Sequence, residues 1–217
     1  MIDITYSGTL PKVLPGFEHI NRYWDAKNNI YAAKIGPGEY YVSTCGEMIT
    51  TVLGSCISAC IRDPEMGIGG MNHFMLPASK LESGRWANTP VNVKTRYGNV
   101  AMELLINTIM ANGGNRKNLE IKIFGGGSMF DMSNDIGGIN ISFVKEYLKK
   151  EGFEIAAEDL GGIHPRKIIY YPTSGRILLK KILRTHNNTL VNREKEYESR
   201  LEKLEKTVPG GTVEFFD

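Results

Sequence analysis

Cysteine is scarce in this 217-residue chain, which carries three: Cys45, Cys56 and Cys60. An odd and sparse set excludes a disulfide-stapled scaffold and fits a reducing compartment. Long apolar runs are missing too, none approaching the roughly 20 residues that cross a bilayer as a helix. The opening Met1-Ile2-Asp3-Ile4-Thr5 lacks the basic stretch and apolar core of a secretory leader, so the expected location is cytoplasmic. Nor does charge of one sign dominate: 26 basic against 24 acidic residues leave a formal net charge of +2. That is no field to draw nucleic acid or an anionic membrane, so the partner class must come from the site. What is present is ordinary for a globular protein, with 41% hydrophobic and 23% charged residues, enough for one substantial core.

Residues 1 to about 30 mix Pro11, Pro15, Gly16 and aromatics without a period and read as an irregular arm packed on the core, with a short helix near His19 to Trp24. From Tyr40 onward short apolar runs punctuated by glycine predict strands at 40–42, 49–53, 57–61 and 70–75. The stretch 96–110, apolar at helical intervals, ends at Asn112-Gly113-Gly114 and predicts a helix. Residues 119–124 alternate apolar and polar before Gly125-Gly126-Gly127, a strand entering a glycine turn. Phe143, Val144, Tyr147 and Leu148 form the stripe of a second helix over 141–150, and further strands are expected at 153–157, 167–171 and 177–179. The charged stretch 192–206, with Tyr197, Leu201 and Leu204 on a narrow stripe, predicts a solvated helix before Pro209-Gly210-Gly211. Helices among several strands favour an α+β class, an α/β sandwich of mixed sheets flanked by helices. The chain divides into an arm at 1–34, a core at 35–184, and a charged helix with its tail at 185–217.

The chemistry concentrates in Thr50-Thr51-Val52-Leu53-Gly54-Ser55-Cys56 and Gly70-Met71-Asn72-His73-Phe74-Met75. Asp63-Pro64 and Gly67 are turn formers, so the apolar runs on either side should pair as an antiparallel hairpin. If Arg62 lies opposite Gly69, Cys56 falls near Met75 and His73 becomes its diagonal neighbour on the same face. A slip of one residue would send His73 to the other face. A thiol titrates near pH 8.5, so a nearby imidazole is what makes its thiolate available. The small Gly54-Ser55 turn offers backbone N–H groups, with that of Cys56, to a developing oxyanion. Asn72 and Ser55 could assist there, though each is equally explained as satisfying its own backbone.

Two bland readings compete. A buried cysteine is usually a packed structural thiol, the assignment given to Cys45 and Cys60. A zinc site from Cys45, Cys56, Cys60 and His73 is the other, but only Cys56 and Cys60 have ligand spacing, and the alternation of 57–61 fits ordinary packing.

Leu53-Gly54-Ser55-Cys56 followed by Gly70 to Pro77 resembles the signature of the chemoreceptor glutamine deamidases, the CheD family. The likeness continues through Thr95-Arg96-Tyr97-Gly98, Lys122 to Phe130, Glu158 to Gly162 and Arg166-Lys167-Ile168, covering about 35–183. It implies that Cys56 is the nucleophile, His73 the base, and Thr50, six residues before the cysteine, the third member of a triad, with Thr51 as the fallback. Gly54, Ser55 and Asn72 are the expected oxyanion or substrate contacts. The resemblance further implies a catalytic domain at 35–184, a fold akin to the catalytic domain of the cytotoxic necrotizing factors, and hydrolysis of glutamine in the cytoplasmic helices of a chemoreceptor, without a metal or organic cofactor. It also implies a CheC-type phosphatase as a partner, which leaves a second reading as a regulatory binding module without catalysis.

The chain departs from the family at two places. Ile136-Gly137-Gly138-Ile139-Asn140 lacks the arginine of Ile-Gly-x-Arg-Asn, and Pro165 replaces the glycine before Arg166-Lys167, removing a backbone donor. Both bear on substrate or partner contacts rather than on the triad.

Overall fold

The computed structural model describes residues 9–76, 93–128, 135–183 and 189–207. Pro77, Met129, Phe130 and the Pro209-Gly210-Gly211 tail lie outside them, as do the side chains of Thr95, Arg96 and Leu204. The strands are β1 (Asn21–Asp25), β2 (Ile30–Lys34), β3 (Tyr40–Ser43), β4 (Met48–Leu53), β5 (Ile57–Asp63), β6 (Ile68–Asn72), β7 (Glu120–Gly125), β8 (Ile155–Leu160), β9 (Arg166–Tyr171) and β10 (Arg176–Lys181). The helices are α1 (Val93–Ala111), α2 (Ile136–Lys150) and α3 (Thr189–Thr207). The fold is α+β, as its sequence predicts.

Two five-stranded sheets run in the orders β1-β2-β4-β9-β10 and β3-β6-β5-β7-β8. Each is mixed: β2 and β4 pair in parallel in the first, β7 and β8 in the second, and the other neighbours are antiparallel. The central β5 and β6 are buried almost throughout, whereas the edge strands β1, β8 and β10 are largely half-buried or exposed. Helices explain part of that cover, with α1 packing on β3, β5 and β6 and α2 on β5 and α1. Ile49, Leu53, Ile168 and Tyr170 of the first sheet share one core with Ile57, Ala59 and Ile61 of the second.

β1 and β2 stand where the sequence suggests an irregular arm with a short helix. Trp24 lies opposite Tyr31 and meets its ring edge-on at 4.9 Å. The Asp25 side chain accepts from the Asn28 N–H, and Asn29 takes a left-handed φ of 51° to close the turn. Pairing between strands outranks local propensity here.

The hairpin of β5 and β6 has Arg62 opposite Gly69, the register that aligns Cys56 with Met75. Asp63 sets the turn by accepting from the amides of Glu65 and Met66. Beyond β6 the pairing resumes at Ile57 and Phe74, whose amides and carbonyls exchange bonds of 2.8 and 2.9 Å. α2 begins a turn earlier than its apolar stripe suggests. Asp135 caps it by accepting from the Gly138 N–H, a device that stabilises a helix by about 1 kcal/mol and offsets the glycines of the first turn.

Candidate active site

β4 ends at Leu53 in the first sheet and β5 starts at Ile57 in the second, so Gly54-Ser55-Cys56 is the chain's crossing between sheets. Every carbonyl of that crossing is held. Gly127 N donates to Gly54 O at 2.7 Å, Asn140 Nδ2 to Ser55 O at 2.9 Å, and Gly126 N to Cys56 O at 2.8 Å. Gly125, at φ 118°, must be glycine, because a Cβ there would lie 2.1 Å from Cys56 O. The glycine run is anchored in turn: Gly161 N donates to Gly125 O, and the buried Arg166 guanidinium donates to Gly161 O and Asp159. A turn fastened at successive peptides presents its cysteine with little freedom.

His73 follows β6 on the neighbouring strand and lies diagonal to Cys56 in the Ile57–Phe74 register, on the same face. Its Nδ1 is 2.8 Å from Thr51 Oγ1. Thr51 has one hydroxyl proton and donates it to Ile35 O at 2.8 Å, so it accepts from His73 and the imidazole carries its proton on Nδ1. The lone pair is then on Nε2, a buried atom with no hydrogen-bond partner among the described residues. Thr50 is elsewhere: its hydroxyl donates to Ile168 O at 2.8 Å, across to β9. Successive residues of a strand face opposite ways, so only one of the two threonines can reach the histidine, and it is Thr51.

Burial keeps both groups of the pair neutral. Cys56 is fully buried, and its thiol is pushed well up, first by desolvation and then by the charge and hydrogen bond of Glu194. His73 is pushed down to about 3 by desolvation alone. The other cysteines stay apart from them. Cys60 sits opposite Met71 and Lys122 within the second sheet, and Cys45 Sγ is 3.4 Å from Glu47, at the other end of β4. Among the described residues no three His, Cys, Asp or Glu gather as metal ligands.

Gly54 and Ser55 do present converging donors. Gly54 N, Ser55 N and Ser55 Oγ point at the Glu194 carboxylate of α3, at 2.8, 3.0 and 2.7 Å. Asn72 does not join them: its side chain accepts from Ala59 N and donates to Ala101 O, tying β5 to α1. Sequence reasoning missed Glu194, one acidic residue in a run of charges, and Asn140, whose side chain bridges Leu76 N and Ser55 O. The glycine run at 125–127 was the visible signal that another backbone must pass close by. Beside His73 a cavity of about 110 Å³ opens between α1 and α3, lined by Gly38, Tyr97, Val100, Leu104 and Tyr197 among others.

Known proteins match this chain nearly end to end. A protein of Halorhodospira halophila, named a probable chemoreceptor glutamine deamidase CheD, is 50% identical over 208 residues, 96% of this chain and 95% of its own length. The chain belongs to the CheD family. A relative of the same name from Herminiimonas arsenicoxydans is 52% identical over 198 residues, 90% of this chain and 94% of its own, and one from Hahella chejuensis is 48% identical over 206 residues, 95% of each. The family profile, described as CheD chemotactic sensory transduction, matches residues 75–181. That span holds the glycine run, Asn140 and Arg166, while Cys56 and His73 precede it within the reach of the full-length relatives.

Proposed function

We propose that this chain is a chemoreceptor glutamine deamidase, hydrolysing the side-chain amide of protein-bound glutamine to glutamate and ammonia. The carrying observation is the alignment of Thr51, His73 and Cys56: a histidine of fixed tautomer, its free nitrogen buried, diagonal to a cysteine on the same face. Cys56 Sγ attacks the amide carbon as its proton passes to His73 Nε2. That proton leaves with the amide nitrogen as ammonia when the C–N bond breaks, leaving a thioester. His73 then takes a proton from water, whose oxygen adds to the thioester carbon; the C–S bond breaks and the thiol recovers the proton. Thr51 acts as a positioning residue, holding the imidazole through Nδ1. The amides of Gly54 and Ser55 are the donors for the oxyanion, the role in which one donor is worth about 10²–10³ in rate.

The names of the relatives supply the substrate, and the two-sheet layout supports the expected kinship with the cytotoxic necrotizing factor catalytic domain. No helix among the described residues is long and apolar enough to cross a membrane. A CheC-type phosphatase is the partner proposed from family resemblance alone. The test is co-expression with a chemoreceptor and mass-spectrometric sequencing of its helices. Wild type converts receptor glutamines to glutamate and Cys56→Ala does not; equal conversion by the two would leave only the regulatory binding module.

A further inference from the structure

The charged helix α3 reaches into the site. Glu194 is 1% exposed, although the residues on either side of it, Arg193 and Lys195, face solvent. Its carboxylate takes three neutral donors, Gly54 N, Ser55 N and Ser55 Oγ, in the crossing that carries Cys56. Gly54 permits that approach, since a Cβ at this position would lie 2.6 Å from Glu194 Oε1. One turn further along, the Tyr197 ring packs over Gly38 and walls the cavity beside His73; Leu201, another turn on, is buried. With α3 seated, the Cys56 side chain has no contact with solvent.

The chemistry of this plug is specific. A glutamate side chain on a helix is what remains when a helical glutamine has been deamidated, and here it occupies converging amides of the kind that hold a carbonyl oxygen in acyl transfer. We propose that α3 is a tethered product mimic: Glu194 fills, in cis, the subsite for the substrate's side-chain amide, and a receptor helix must displace α3 to reach Cys56. This rests on the deamidase reading and adds to it the pose of the substrate, a helix lying beside α1 in the place of α3 with its glutamine directed at Gly54 and Ser55. It also makes the resting protein self-inhibited. The charge of Glu194 beside the thiol acts in the same direction, holding Cys56 protonated until the helix leaves.

Glu194→Gln in the full-length protein is the sharpest test, because it tethers a substrate where the product mimic sits. Residue 194 should be recovered as glutamate by fragment mass spectrometry, while the Glu194→Gln/Cys56→Ala double variant should keep glutamine. Glu194→Ala should speed alkylation of Cys56 by iodoacetamide about tenfold or more, with Cys60 as the internal standard, and should raise receptor deamidation several-fold. If the Glu194→Gln variant keeps its glutamine while the wild type deamidates receptor, the product mimic is overturned, and unchanged alkylation in Glu194→Ala would overturn the cover. Should no variant touch receptor while Glu194→Ala still exposes Cys56, it is the substrate assignment that fails and the cover by α3 that stands.

Discussion

The hydroxyl of Thr51 lies 2.8 Å from Nδ1 of His73 and gives its own proton to Ile35 O, so a residue of the first sheet sets the tautomer of a histidine that follows β6 of the second. Thr51→Val removes that acceptor and should lower the deamidation rate by roughly 10–100-fold, the scale seen when a histidine loses its orienting partner. Thr51→Ser should restore most of it. Thr50→Val, which loses the bond to Ile168 O, should instead cost about 1 kcal/mol of stability with little effect on rate. Comparing the variants by turnover and by denaturant midpoint separates the two threonines.

His73 also makes stability depend on pH in a defined window. Its folded pKa is pushed down to about 3 from an ordinary 6.5, so between those values the unfolded chain binds the proton that the folded chain refuses. The stability this group contributes is complete above pH 6.5 and is lost as pH falls toward 3. Urea titrations across that range should show wild type losing stability more steeply than His73→Gln. Parallel pH slopes for the two proteins would contradict the assignment.

Asn140 bridges the Leu76 amide and the Ser55 carbonyl with both ends of its side chain. Asn140→Ala strands both groups in the interior, at about 1–3 kcal/mol each. Its denaturant midpoint should fall accordingly. Activity should fall further than the loss of folded protein explains, because the cysteine turn loses a tether.

Glycine at 125 and glycine at 152 provide a matched contrast. Both have positive φ, but a Cβ at Gly125 would run into Cys56 O, while at Gly152 nothing lies within 4 Å. Gly152→Ala should cost about 1–3 kcal/mol in thermal unfolding and leave turnover of the folded protein unchanged. Gly125→Ala should be more destabilising and should also abolish measurable turnover, since the displaced atom belongs to the peptide of Cys56, the proposed nucleophile.

Much of this site is legible along the chain because it depends on short-range rules. Turn chemistry at Asp63-Pro64 and Gly67 determines the hairpin, the hairpin determines the register, and a period of two then places His73 diagonal to Cys56 without any knowledge of the other sheet. The α+β class and the glycine turn at 125–127 follow from similarly local patterns. The choice between Thr50 and Thr51 does not, because both lie on one strand and only the packing of sheet against sheet decides which hydroxyl meets the imidazole. The first two strands were hidden for a related reason, since their aromatic residues acquire a strand preference only when Trp24 meets Tyr31. Glu194 is the extreme case. In sequence it is one charge among many on a polar helix, and burying a carboxylate is unfavourable unless donors wait for it. Those donors belong to residues some 140 positions earlier, so only the tertiary structure could bring the helix to the cysteine turn.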